Sequence, residues 1–333
     1  MSRVLAWHAD PRADGSAFYR IFMPLEELSI GPTEVRYTHV LRRGDVDAVD
    51  VLVAQRLADV GLVGEWVRLS ERPHLRTVLD MDDDLFNIPT DSPAHAAYAD
   101  SATRLALKWS LEAAHHVTVS TEPLRERMLE FNDDVRVAPN CVPAWLLTTG
   151  PFYPRHDDYV PWIGWSGSST HAGDIATITP EIERLSERLG SRARWRTMGG
   201  HEFPVSRSAA GYEHIPWLPS VRDYLKRFRV DIGIIPLADT EFNACKSDIK
   251  AREFAAKGIP VVAANHPVYR DTVIEGQTGF LYDTPEEMAS AVTRLVLDPV
   301  LRWQMSQGAT AHATRNFTIK GSRDAWQRAY LRS

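Results

Sequence analysis

The chain has 333 residues, a net charge of −6, and 44% hydrophobic and 25% charged residues, which suits a globular protein of about two domains. No run approaches the roughly 18 consecutive apolar residues of a membrane span, and the first ten residues lack the apolar stretch of a secretory signal. The acidic balance argues against a chain devoted to gripping nucleic acid, and two cysteines, Cys141 and Cys245, are too few for a disulfide framework or a structural zinc site. A reducing compartment, the cytoplasm, is expected.

Short apolar runs alternate with helical patterns in chain order. Val4–Trp7 is predicted as a strand and Phe22–Leu28 as a helix. Strands follow at 49–54 and 77–80, with a helix at 62–69 between them. A long helix is expected over 94–114, a strand over 117–120, and a helix opened by Ser120-Thr121-Glu122-Pro123, where hydroxyl caps precede a first-turn proline. A strand at 135–138 ends this half. Prolines 139, 143, 151, 154 and 161 then crowd a stretch that reads as an interdomain linker.

The pattern restarts with strands at 162–165, 193–198, 230–235, 259–264 and 279–282. Helices are expected at 174–189, 221–228, 247–257 and 285–297, and further helical segments at 302–313 and 322–331. Strand–helix alternation of this kind builds a parallel sheet covered on both faces. The fold class expected is therefore α/β, with two Rossmann-like doubly wound domains facing across a cleft. Ligands of such sheets bind at the carboxyl ends of the strands.

The most informative stretch is Phe242–Ala264, FNACKSDIKAREFAAKGIPVVAA. Ser247 can cap the following helix, leaving free N–H groups and a positive dipole end suited to an anion. Lys246 and Lys250 bracket that end, which suits a diphosphate. Glu253 is expected two turns in, where a carboxylate can accept hydrogen bonds from both ribose hydroxyls, as acidic residues do in dinucleotide sites. Trp165-Ser166-Gly167-Ser168-Ser169-Thr170-His171 is a loop whose backbone can wrap phosphate oxygens. In the first half, Asp80-Met81-Asp82-Asp83-Asp84 collects carboxylates at a strand end, and these repel one another unless cations or donors approach. His115 and His116 read as packing and surface residues.

From Glu253 to Ala264 the chain resembles the donor-site helix and strand of retaining glycosyltransferases with the GT-B fold, the glycosyl transferases group 1 superfamily. Val230–Leu237 resembles the strand before that helix, Gly276–Leu281 its G-x-x-G-x-L turn, and Val137–Pro143 the segment that ends the first domain. The resemblance implies an acceptor domain over 1–150, a nucleotide-sugar donor domain over 151–310, and a helix at 311–333 crossing back to the first domain.

The same resemblance implies a glycosyltransferase that moves a sugar from a UDP- or GDP-sugar to an acceptor hydroxyl. It implies retention of configuration, no metal and no permanently bound cofactor. By the same resemblance Glu253 holds the ribose, and Cys245 stands where the family usually has a second glutamate contacting the donor sugar. Asn243, Lys246 and Ser247 are the candidates to replace that contact. His171 stands for the usual basic residue of the phosphate loop, with Gly167 and Ser168 beside it. Trp217 and Leu218 fall at the nucleobase position, and Gly15 and Arg20 on the loop and helix after the first strand. Arg20 can alternatively pair with the Asp80 cluster. Lys246 and Lys250 are expected to stabilise the leaving diphosphate, with Asp82 and Asp83 at the cleft. A nucleotide-sugar epimerase and a non-catalytic sugar-nucleotide or glycan-binding protein are the rival readings. The acceptor stays open among glycan, lipid, small molecule, protein and modified nucleic acid, and the chain is expected as a monomer or homodimer.

Overall fold

The computed structural model describes residues 2–7, 15–28, 33–42, 44–149 and 159–331. Two six-stranded parallel sheets, each flanked by helices, make up two Rossmann-like α/β units. The first contains β1 (Ser2–Trp7), β2 (Thr33–Thr38), β3 (Val51–Gln55), β4 (Arg76–Met81), β5 (His116–Val119) and β6 (Val135–Val137), in spatial order β2-β1-β3-β4-β5-β6. The second contains β7 (Trp162–Gly167), β8 (Arg194–Gly199), β9 (Gly211–Ile215), β10 (Ile232–Ile235), β11 (Val261–Ala264) and β12 (Gly279–Tyr282), in order β12-β11-β10-β7-β8-β9. Central strands such as Val51–Gln55 and Val261–Ala264 are buried throughout, as covered parallel sheets require.

Two strands escaped the sequence reading, and both are at edges. β2 reads Thr-Glu-Val-Arg-Tyr-Thr and β9 Gly-Tyr-Glu-His-Ile. Each mixes polar residues with apolar ones because one side faces water, so neither shows a continuous apolar run. The helix expected at Phe22 begins instead at Gly15 and widens into a π turn over Phe18–Phe22 before Met23–Leu28 continues it. The single helix expected over 94–114 breaks at Asp100, whose carboxylate accepts the Thr103 N–H at 2.8 Å and so caps Ser101–Ala113.

The expected linker is packed where it is described. Val142 and Leu146 enter the core of the second domain, and the Asn140 carbonyl accepts Arg252 Nη1 at 2.8 Å. Positions 150–158, including Gly150, Pro151 and Pro154, lie outside the described residues.

Helix Pro299–Asn316 adds Met305, Ala309 and Ala313 to the second core. After it the chain crosses, and helix Ile319–Tyr330 buries Ile319, Trp326, Ala329 and Tyr330 against the first sheet. Trp326 Nε1 donates to the Pro139 carbonyl at 3.1 Å, and the Tyr330 hydroxyl to the Arg20 carbonyl at 2.6 Å.

His116 of β5 contacts the Ala329 carbonyl through Nε2, and burial pushes its pKa down to about 4. The unfolded chain binds that proton near pH 6.5, so stability is full above about 6.5 and is lost as pH falls towards 4. The loss is roughly 3 kcal/mol. Urea unfolding between pH 7 and 4 should therefore show a steeper decline for the wild type than for His116→Gln. Parallel slopes would remove the histidine from the account.

Candidate active site

In the second sheet the strand order reverses between β7 and β10, with β8 and β9 on one side and β11 and β12 on the other. That crevice is where open α/β sheets bind ligands. Gly167 ends β7 and the loop after it carries Ser168 and His171, and the segment after β10 carries Asn243, Lys246, Lys250 and Glu253. The fold thus brings together two sequence stretches some seventy residues apart. Gly199 closes the loop's floor. Its φ is 103°, and a Cβ there would sit 2.0 Å from the Gly167 carbonyl oxygen, so only glycine fits.

Two features of the donor helix differ from expectation. The helix spans Ile249–Ala256 with Asp248, not Ser247, at its N-cap, and no side chain caps it. Ser247 Oγ instead receives Asn140 Nδ2 from the first domain at 2.7 Å. Glu253 is the fifth residue of this helix, one turn in rather than two. Its carboxylate is buried and receives the Lys250 ammonium and the Tyr19 hydroxyl, each at 2.6 Å. Burial works against a charged Lys250, but Glu253 and Tyr224 hold its pKa well above the usual range. Burial and the neighbouring Glu253 likewise raise that of Tyr19.

His171 Nδ1 lies 2.7 Å from Asp174 Oδ2, and the other oxygen of Asp174 accepts Ala238 N–H and Asn243 Nδ2 at 2.8 Å each. Asn243 is buried and committed to that carboxylate and to the Ala238 carbonyl; it orients Asp174 and has no spare donor. Burial lowers the His171 pKa, Asp174 opposes this, and Lys246 and Lys250 add to the lowering. Lys246 and Lys250 therefore lie within electrostatic reach of the His171 ring. Ser168 pairs with Thr170 at 2.6 Å. The Trp217 ring is half exposed and packs on Tyr224 at 5.4 Å, with Leu218 partly buried beside it. Tyr224 in turn reaches Lys250 Nζ at 3.4 Å.

The first domain faces this site through its acidic turn. Lys246 Nζ sits 3.7 Å from Asp83 Oδ1 and 4.5 Å from the Phe242 ring. Asp82 is ion-paired with Arg56; burial raises the Asp82 pKa, and Arg56 more than reverses it. Asp84 caps the turn that follows, accepting Phe86 N–H and Asn87 Nδ2.

Arg20 is not at the donor site. It is fully buried, bonds Asp80, the Ala138 carbonyl and Asn140 Oδ1, and stacks 4.7 Å from Trp326. The structural alternative for Arg20, pairing with Asp80, is the one found. Gly15 opens the same helix. Cys245 also turns away from the donor cleft. Its side chain joins the hydrophobic core of the first domain, its carbonyl accepts Thr121 Oγ1 at 2.8 Å, and burial pushes its thiol up to about 11.

Tyr19, Asp174, Tyr224 and Arg56 were not singled out from the sequence. Asp174 alone had a legible signal, lying three residues after His171 at helical spacing. The others are brought in by tertiary packing.

Residues 161–298 match the family model described as Glycosyl transferases group 1. Among solved structures, Anabaena HepE in complex with UDP-glucose is 13% identical with a TM-score of 0.66, over 98% of this chain and 99% of HepE. An alpha-glucosyltransferase in complex with UDP and a 13-mer DNA is 12% identical with a TM-score of 0.66, over 99% of both chains. A mutant of S. aureus TarM in complex with UDP is 12% identical with a TM-score of 0.57, over 84% of this chain and 55% of TarM. The chain thus spans about half the length of TarM. No curated protein matches the sequence. Such identities speak to the fold, which is GT-B, and the match to the Glycosyl transferases group 1 model covers the second unit, residues 161–298, alone.

Proposed function

We propose that the chain transfers a sugar from a nucleoside diphosphate sugar to an acceptor hydroxyl, with retention of configuration and without a metal ion. The observation that carries this reading is the convergence of Glu253, Lys250, Lys246 and His171 on the switch point between β7 and β10. In it Glu253 holds the ribose hydroxyls, Trp217 and Leu218 border the base, and the diphosphate lies between the loop 167–171 and the two lysines. Negative charge that grows on the leaving diphosphate is met by Lys246 and Lys250. Asp174 fixes the His171 ring. The acceptor approaches from the first domain, past Asp83. UDP or UDP-glucose in the three structures named above supports a uridine nucleotide as the first donor to try. Two buried, unpaired cysteines suit a reducing compartment, and among the described residues no helix is long and apolar enough to cross a membrane.

Glu253 is engaged by Tyr19 from the other domain, so a ribose must displace that hydroxyl. Calorimetric titration of UDP, GDP and ADP into wild type, Glu253→Ala and Tyr19→Phe, with and without chelator, tests the arrangement. One nucleotide should bind at micromolar Kd, unaffected by chelator, and weaken at least thirtyfold in Glu253→Ala. Tyr19→Phe should tighten it about tenfold, because a charge-assisted hydrogen bond worth roughly 1.5 kcal/mol no longer competes. Nucleotide binding that survives Glu253→Ala, or no binding at all, would sink the donor site. Binding abolished by chelator would sink metal independence alone.

A further inference from the structure

A cavity of about 560 Å³ opens in the first domain, walled by Trp7, Gln55, Arg56, Leu57, Val60 and Leu62 among others. Its place in the fold is specific. Trp7 ends β1 and Gln55 ends β3, and these adjacent strands flank the point where the order of the first sheet reverses, with β2 on one side and β4 to β6 on the other. It is the first domain's own switch-point crevice, and its volume falls within the roughly 300–1,000 Å³ of small-molecule sites.

Two features mark the cavity as built for a ligand. Gln55 is only 4% exposed, yet its Nε2 has no hydrogen-bond partner. A buried donor left unpaired costs about 1–3 kcal/mol, and a ligand oxygen would remove that cost. Arg56, next along the chain, has φ 47°, the only positive φ of a non-glycine residue among those described. Strain of this kind gathers at functional sites. The Arg56 guanidinium bonds Ser16, Asp82 and Asp83, and Asp83 faces Lys246 of the donor segment. Three side chains therefore join the cavity wall to the donor site.

We propose that this cavity seats the acceptor, and that the acceptor is a small uncharged amphiphile: a ring-bearing alcohol or phenol with a carbonyl or ether oxygen for Gln55 Nε2. The proposal rests on the glycosyl-transfer reading and adds the substrate class to it. Charge argues for neutrality. Arg56 is balanced by Asp82 and Asp83, while the Asp59 carboxylate, which accepts the Gly61 N–H at 2.7 Å, keeps its negative charge on the wall and repels an anion. A polyanion such as nucleic acid needs cations without partners, and Arg56 cannot serve as one. Apolarity argues for an amphiphile. Leu57, Ala58 and the buried Trp7 line the wall, and Val60 and Leu62 stand 57% and 41% exposed at the start of their helix. In the transfer the acceptor oxygen bonds to the anomeric carbon, the bond from that carbon to the diphosphate breaks, and the departing phosphate oxygen takes the hydroxyl proton.

The test uses the full chain, without nucleotide and at mildly acidic pH, with three fluorescent bicyclic probes. They are 7-hydroxy-4-methylcoumarin, a neutral phenol with a ring carbonyl; 2-naphthol, which lacks the carbonyl; and the anionic 7-hydroxycoumarin-3-carboxylate. The neutral coumarin should bind and quench tryptophan emission, with the other two at least tenfold weaker. Gln55→Leu should erase its advantage over 2-naphthol. Leu62→Glu, at an exposed helix position that leaves the fold intact, should weaken both neutral probes. Failure of the neutral coumarin to bind, equal binding of the carboxylate, or binding unchanged in both variants would overturn the proposal. UDP, GDP and ADP titrated into the same samples separate the two readings. Nucleotide binding without coumarin binding overturns the acceptor class alone. Coumarin binding without nucleotide binding supports the cavity's ligand class and overturns the donor site.

Discussion

Arg20→Ala should cost the fold about 3–5 kcal/mol, the scale for breaking a buried ion pair from one side. Neither Arg20 nor Asp80 reaches water, and their charges meet at 2.9 Å. With the guanidinium gone, Asp80 keeps the Thr118 hydroxyl at 2.6 Å and a Tyr330 hydroxyl at 2.8 Å whose one hydrogen is shared with the Arg20 carbonyl, which cannot replace a full positive charge. The Ala138 carbonyl and Asn140 side chain also lose their donor, and Trp326 loses the plane it packs on. A fall in Tm of roughly 10 °C is expected. Adding Asp80→Asn to Arg20→Ala should recover part of the loss, because the uncompensated charge disappears with it. If the single substitution costs under 1 kcal/mol in urea unfolding, this cluster is not what holds helix Ile319–Tyr330 to the first sheet.

Lys250→Gln should lower sugar transfer about 10²–10³-fold, the range for removing one preorganised group that stabilises charge developing in a transition state. The loss should fall on kcat, because the ammonium meets the diphosphate most strongly as it leaves. Glu253→Ala should instead act on nucleotide binding. The two residues touch at 2.6 Å, so their effects will not add, and the double variant should lose less than the product of the singles. Steady-state kinetics with the donor that binds in calorimetry decides the matter. A Lys250→Gln enzyme with kcat intact and only KM raised would make the lysine a ground-state binding group.

The candidate donor segment can be picked out in the sequence because its residue types are local. Glu253, Lys250, Lys246 and the strand Val261–Ala264 lie within one short stretch, where residue type and spacing carry the meaning. Gly279–Tyr282 and Pro285–Leu297 were placed to the residue, since a buried strand run and a Thr284–Glu287 capping box define their ends. For Arg20 the sequence offers two readings, a ligand contact and a pair with Asp80, and what decides between them, the Ala138 carbonyl and the Asn140 side chain, comes from a distant segment. Ser247 was misread as a cap for a related reason. Asn140 of the other domain takes its hydroxyl, and no rule about helix starts includes a competitor 107 positions away. Cys245 was flagged as a departure from the family pattern. That it faces the first domain's core could come only from the packing.

The crossing helix bears on how the chain is made. The first sheet is complete at Val137, but the side chains that cover one of its faces, Trp326 and Tyr330, are synthesised only after the whole second domain. At about 5–20 residues per second that interval is roughly 10 s or more. Until it ends, the nascent first domain carries the charged pair Arg20–Asp80 and the apolar residues around it without their lid. A fragment cut after the first sheet would remain in that unfinished condition permanently, and chimeras that exchange the first domain need to exchange residues 319–330 along with it.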